Sequence, residues 1–83
     1  MVYFTHMNDW IEQSDAIIKE FIFPTFPDAI GFINQVAAVA QELNHHPTIL
    51  NVYTSVTLRL STHDAGDIVT AKDYELASRI DAL

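Results

Sequence analysis

Residues 26–61 read FPDAIGFINQVAAVAQELNHHPTILNVYTSVTLRLS, and within this stretch the period of the apolar residues changes once. From Phe26 to Leu43, apolar side chains recur at spacings of three and four through Phe26, Ile30, Ile33, Ala37, Ala40 and Leu43. That repeat predicts a helix with one buried stripe. Pro27 and Asp28 suit its first turn, where a missing N–H costs nothing and an acid complements the helix dipole. Pro47 biases His46 away from helical angles, so the helix should end across residues 44–47. From Val52 the period becomes two, with Val52, Thr54, Val56, Leu58 and Leu60 on one side and Tyr53, Ser55, Thr57, Arg59 and Ser61 on the other. The alternation predicts one long strand with a single buried face.

Before the helix, Ile17 to Phe23 form a β-rich run that Pro24 ends, and two strands are expected between Trp10 and Phe23. After the strand, Asp64-Ala65-Gly66-Asp67 is turn-like, and Thr70-Ala71-Lys72-Asp73 has the form of a capping box. It should open a second helix with Tyr74, Ala77 and either Leu76 or Ile80 inward. The order strands, helix, strand, helix places the chain in the α+β class. With 83 residues, two glycines, three prolines and no repeat, nothing marks a linker, and residues 1–83 are read as a single domain.

Composition narrows the function. Eleven acidic residues against four basic ones give a formal charge of −7, which repels a phosphate backbone and disfavours direct nucleic-acid binding. No window has the apolar length of a membrane span, and the start lacks the pattern of a secretory signal, so a cytoplasmic protein is expected. The absence of cysteine removes disulfides and thiolate metal sites. A core this small then makes self-association the natural expectation.

Three of the four histidines lie at element ends: His45 and His46 after the first helix, and His63 after the strand. Imidazole titrates nearest neutrality, so a cluster of them both donates and accepts protons at working pH. Each also has a plain reading. A histidine in a last helical turn complements the dipole, His46 before proline is loop, His63 is a turn residue, and Asp73 is a capping acid. His6 is read as incidental. A metal site built from His45, His46, His63, Asp64 and Asp67 is disfavoured, because adjacent helical side chains diverge by about 100° and no ligand pair has a recognised spacing. Phosphate-loop, dinucleotide and serine-nucleophile patterns are absent.

His45-His46-Pro47, five residues, Tyr53, nine residues, His63 and then Asp73 resemble the signature of the pterin-4a-carbinolamine dehydratases. Asp15-Ala16-Ile17, Phe21-Ile22-Phe23, Gly31-Phe32, Asn51-Val52-Tyr53, Leu60-Ser61-Thr62-His63 and Leu76-Ala77 extend the resemblance from about Trp10 to the C-terminus. It implies a four-stranded antiparallel sheet with helices packed on one face. It also implies dehydration of 4a-hydroxytetrahydropterin to quinonoid dihydropterin, in support of the recycling that follows aromatic amino-acid hydroxylases, with no metal or cofactor beyond the pterin substrate.

By the same resemblance His45, His46 and His63 are catalytic, and Asn44 to His46 with Ser61, Thr62, His63 and Asp64 contact the substrate. Gln41, Asp73 and Trp10 are supporting candidates. A homodimer or homotetramer is implied, and relatives that act as a dimerisation cofactor of a transcription factor or as assembly factors supply a non-catalytic alternative. Two departures stand out. Gln41 occupies a position where the family generally has an acid, with Glu42 one place later as a partial substitute. The segment from His63 to Asp73 is also one residue longer than usual, with Asp67 where glycine is common.

Overall fold

A computed structural model describes residues 9–83; His6 lies outside them. Strand β1 (Ile11–Gln13) turns through Ser14, at φ 59°, into β2 (Ala16–Ile22). Helix α1 (Phe26–Leu43) leads to β3 (Thr48–Val52) and β4 (Ser55–Leu60), and a short 3-10 turn at His63–Ala65 precedes helix α2 (Ala71–Asp81). The four strands form one antiparallel sheet in the order β1-β2-β4-β3, as the α+β reading and the resemblance implied.

The long strand expected from Val52 to Ser61 is instead the second arm of a hairpin. Alternation runs unbroken through the turn, because the two turn residues keep the parity of the pattern. Tyr53 adopts left-handed angles at φ 54°, a conformation that costs an aromatic residue about 1 kcal/mol or more. The Asn51 side-chain amide donates to the Tyr53 carbonyl (3.2 Å) and the Ser55 carbonyl (3.0 Å), bracing the reversal. Val56, Leu58 and Leu60 are buried as expected, whereas Val52 is 63% exposed.

The span expected for α1 holds, and the Thr25 hydroxyl accepts the Asp28 N–H at 3.2 Å to cap it. The buried stripe differs from expectation: Ala29, Phe32, Val36, Val39 and Ala40 face the sheet, Ile30 and Ile33 are half-buried, and Phe26 and Ala37 are exposed. Two overlapping apolar stripes run along this helix, so periodicity establishes the helix without choosing its face. Phe32 decides it by packing with tilted rings against Phe21 (centroids 4.7 Å apart) and Phe23 (4.9 Å). In α2, Leu76, Ala77 and Ile80 join the core, but Tyr74 is exposed.

Both helices cover the face of the sheet that carries Ile17, Phe21, Val56, Leu58 and Leu60. Lys19, also on that face, is buried with its ammonium 2.9 Å from Asp81 and 5.1 Å from the Phe21 ring centroid. The opposite face leaves Ile11, Ile22, Leu50 and Val52 exposed. Among the described residues no helix is long and apolar enough to cross a membrane.

Candidate active site

Local rules place each histidine. Helix α1 stops at Asn44, which takes left-handed angles (φ 52°, ψ 44°) open to asparagine and lets the His45 N–H return to the Ala40 carbonyl at 3.0 Å. The chain therefore leaves the helix axis at His45 and His46. Thr48 pairs with Arg59, and extending this antiparallel register backwards sets His46 beside the end of β4, where Ser61, Thr62 and His63 follow. A bridge between Thr62 and Ile68 then folds the next loop back so that Thr70 and α2 start beneath the histidines.

These elements enclose an open cavity of about 270 Å³ lined by Asn44, His45, His46, Ser61, Thr62, His63, Asp64 and Lys72. All seven expected substrate contacts meet there, and all three expected catalytic histidines are among them. Its size lies at the small end for ligand clefts. A depression of similar size on the β1–β2 hairpin, lined by Asp9, Ile11, Gln13, Ile18, Lys19 and Glu20, brings no histidine together with another and carries no comparable chemistry.

Asp73 is the centre of the polar framework. It is fully buried, yet it has donors on both carboxylate oxygens. Oδ1 lies 2.6 Å from His45 Nε2, and Oδ2 accepts the Thr62 hydroxyl at 2.7 Å and the Thr70 N–H at 2.9 Å. Because Thr62 gives its one hydroxyl proton to Asp73, the 2.6 Å contact between Thr62 and Thr70 must be donated by Thr70. Burial pushes the Asp73 carboxyl up; the hydrogen bond from His45, the backbone N–H of Thr70 and the Thr62 hydroxyl together outweigh it, and the group sits below the usual aspartate value. The ionised carboxylate accepts only, so His45 Nε2 carries a proton, and in the neutral ring Nδ1 is the free acceptor. Asp73 is thus a capping acid, as expected, and also the anchor of His45.

Gln41 reaches His46: its Oε1 lies 3.3 Å from Nε2, a long contact from a neutral acceptor. Glu42 does not substitute for an acid here, because it pairs with Arg79 on α2, about 100° around the helix from Gln41. His63 is 90% exposed, and its Nδ1 lies 3.0 Å from Asp67 Oδ1. That hydrogen bond and the Asp67 charge hold the imidazole above its ordinary value, against slight desolvation, with Asp64 adding to the effect.

The Ser61 hydroxyl donates to the Asp15 carbonyl at 2.9 Å, tying β4 to the first hairpin. Trp10 stands apart. Its indole N–H donates to Asp81 at 2.9 Å and its ring meets Phe21 edge-on at 6.1 Å. Asp81 is eight residues along α2 from Asp73, roughly 12 Å at 1.5 Å per residue. Lys72 was not singled out in the sequence, although its position immediately before Asp73 is a signal. The other three cations form ion pairs with Asp81, Asp15 and Glu42, and Lys72 has no ion pair among the described residues.

Comparison with known proteins identifies the family and the fold. The sequence pattern described as Pterin 4 alpha carbinolamine dehydratase matches residues 2–83. A protein of Opitutus terrae that bears the pterin-4-alpha-carbinolamine dehydratase name provisionally is 47% identical over 77 residues, covering 93% of this chain and 79% of its own. The crystal structure of a transcriptional coactivator/pterin dehydratase from Brucella melitensis superposes with a TM-score of 0.81 at 33% identity, covering 94% of this chain and 82% of that one. A pterin dehydratase-like protein identified as a RuBisCO assembly factor in the alpha-carboxysome superposes with a TM-score of 0.79 at 26% identity, covering 98% and 94%. The chain belongs to the pterin 4 alpha carbinolamine dehydratase family.

Proposed function

We propose that this protein dehydrates a 4a-hydroxytetrahydropterin to the quinonoid dihydropterin by histidine acid–base catalysis. The observation that carries the reading is the convergence of His45, His46 and His63 on one cavity, each ring held by a different partner. The reaction needs one proton delivered to the departing 4a-hydroxyl, which leaves as water, and one removed from the neighbouring ring nitrogen. Imidazoles lining one cleft meet that need, one donating while another accepts. Asn44, Ser61, Thr62 and Asp64 supply polar and backbone groups for the hydrogen-bonding edge of the ring. No metal or further cofactor enters this scheme, and the substrate would come from an aromatic amino-acid hydroxylase.

The exposed Ile11, Ile22, Leu50 and Val52 on the uncovered sheet face, together with the small core, support a homodimer or homotetramer as the working form. A monomer mass by sedimentation at micromolar concentration would rule that out.

A second reading is favoured by one observation: the neutral Gln41 amide partners His46, where a carboxylate would stabilise its imidazolium. The 26%-identical assembly factor shares the fold, and an assembly or binding module on this scaffold is the alternative. The deciding experiment is direct dehydration of freshly generated 4a-hydroxytetrahydropterin, followed by its ultraviolet spectrum. Acceleration by wild type that is lost in His46→Ala supports the enzyme. No acceleration by a folded wild type favours the module.

A further inference from the structure

Asp67 closes the turn after His63 without its side chain entering any bond of the turn itself. It takes left-handed angles at φ 60°, next to Gly66 at φ 91°, a region that glycine enters most freely and that aspartate and asparagine also visit. The loop does not need its side chain. The Asp67 N–H bonds the Thr62 carbonyl (3.0 Å), the Gly66 N–H bonds the His63 carbonyl (2.9 Å), and Thr62 bridges Ile68 through a 2.8 Å bond. Backbone groups alone therefore close the turn, and any residue tolerant of these angles would preserve it. The carboxylate of Asp67 instead goes to His63 Nδ1 at 3.0 Å.

The consequence lies in the ring's second nitrogen. The His63 side chain is largely solvated where it lines the cavity, and an imidazole so exposed populates several rotamers and both tautomers unless something holds it. An acceptor at Nδ1 selects the Nδ1–H form and leaves Nε2 for the cavity shared with His45 and His46. We propose that Asp67 is a positioning residue for His63, gripping Nδ1 so that Nε2 is presented to the bound ring. This deepens, and rests on, the acid–base reading of the cavity.

The charge has a second effect in the same direction. The other titratable groups around His63 are Asp64 on its own turn and His45, His46 and Lys72 across the cavity, with Asp73 behind His45. Only the two carboxylates on the 63–67 turn, Asp67 first, act to favour its charged form. A grip on Nδ1 therefore keeps His63 supplied with a proton to higher pH than a free imidazole would be.

The test uses Asp67→Asn, which keeps size and tolerates left-handed angles, and Asp67→Gly, which adopts them freely. Folding is thus secured by two routes. The first readout needs no turnover: nitrogen-15 spectra of the histidine rings, titrated with pH. Both variants should lower the His63 midpoint and mix its tautomers, leaving the His45 and His46 signals and the urea midpoint where they were. The second readout is dehydration. The variants should lose on the order of threefold to tenfold in kcat at little change in KM, a part of the roughly 10²- to 10⁴-fold available to general acid–base catalysis. The pH limb belonging to His63 should shift downward with them. Unchanged His63 midpoint and tautomer in both variants overturn the proposal. If wild type does not dehydrate the pterin at all, the functional reading fails, whereas the nitrogen-15 titration still decides whether Asp67 holds His63.

Discussion

His45 and His63 each meet an aspartate at the same cavity, and the two pairs differ in everything except residue type. His45 and Asp73 are 2.6 Å apart with the carboxylate fully buried, whereas His63 and Asp67 are 3.0 Å apart with side chains 90% and 61% exposed. A buried carboxylate has to find donors for its lone pairs, and Asp73 takes His45, Thr62 and the start of α2 as its three. It thereby joins three chain segments, so fold and site depend on one group. Water screens the exposed pair, which leaves it little to contribute to stability and confines its influence to the orientation and charge of one ring. The same two residues thus build a structural keystone in one place and an adjustable support in the other.

The comparison breaks most visibly at Asp73. Asp73→Ala should remove the anchor of His45 and half of the capping box together, costing about 2–4 kcal/mol and most of the activity. Chemical denaturation followed by circular dichroism measures the first and the dehydration assay the second. If the urea midpoint hardly moves, the buried network is not the keystone described.

His46→Ala should separate the two properties. A rate loss of about 10²- to 10⁴-fold is expected with the unfolding midpoint kept, because the side chain is exposed and packs on nothing in the core.

A pH titration of stability sharpens the contrast further. The folded value of Asp73 is lowered, so the stability it contributes is fully present above the ordinary unfolded value near pH 4 and is lost as pH falls through the folded one. Wild type should lose thermal stability more steeply than Asp73→Asn in that acid range. His63 runs the opposite way. Its folded value is raised, so its contribution is present below about pH 6.5 and disappears as pH rises through the folded value. Equal acid slopes in wild type and Asp73→Asn would contradict the assignment of the low value to Asp73.

Gln41→Glu asks whether His46 gains from the kind of partner His45 already has. A carboxylate in place of the 3.3 Å amide contact should raise the dehydration rate by on the order of tenfold, since a supporting group gives only part of a full acid–base effect. An unchanged rate in an active wild type would mean that the amide suffices. Smallest of all is Glu42→Gln, which breaks only the exposed pair with Arg79. It should shift stability by about 0.2–1 kcal/mol and leave turnover alone.

What the sequence by itself determined is whatever contiguous residues control. The helix from Phe26 to Leu43 with its end within residues 44–47, the capping box at Thr70 and Asp73, and the turn between Asp64 and Asp67 all follow from backbone preferences within a few residues. The spacing of His45, His46 and His63 was equally plain, and their meeting could be foreseen through the family resemblance.

Tertiary structure alone decided the rest, because those choices depend on residues far apart in the chain. Alternation could not reveal the reversal at Tyr53, since a two-residue turn preserves the period, and only pairing of β3 with β4 separates the arms. Periodicity could not choose between the stripes of α1, which Phe21 and Phe23 settled by packing on Phe32. Nor could local rules show that the capping acid Asp73 also binds His45, 28 residues away, or that Glu42 is drawn to Arg79 and so withheld from the histidines. A side chain's local role is set by its neighbours in sequence; which partner takes its remaining hydrogen bonds is set by which segments the core brings together.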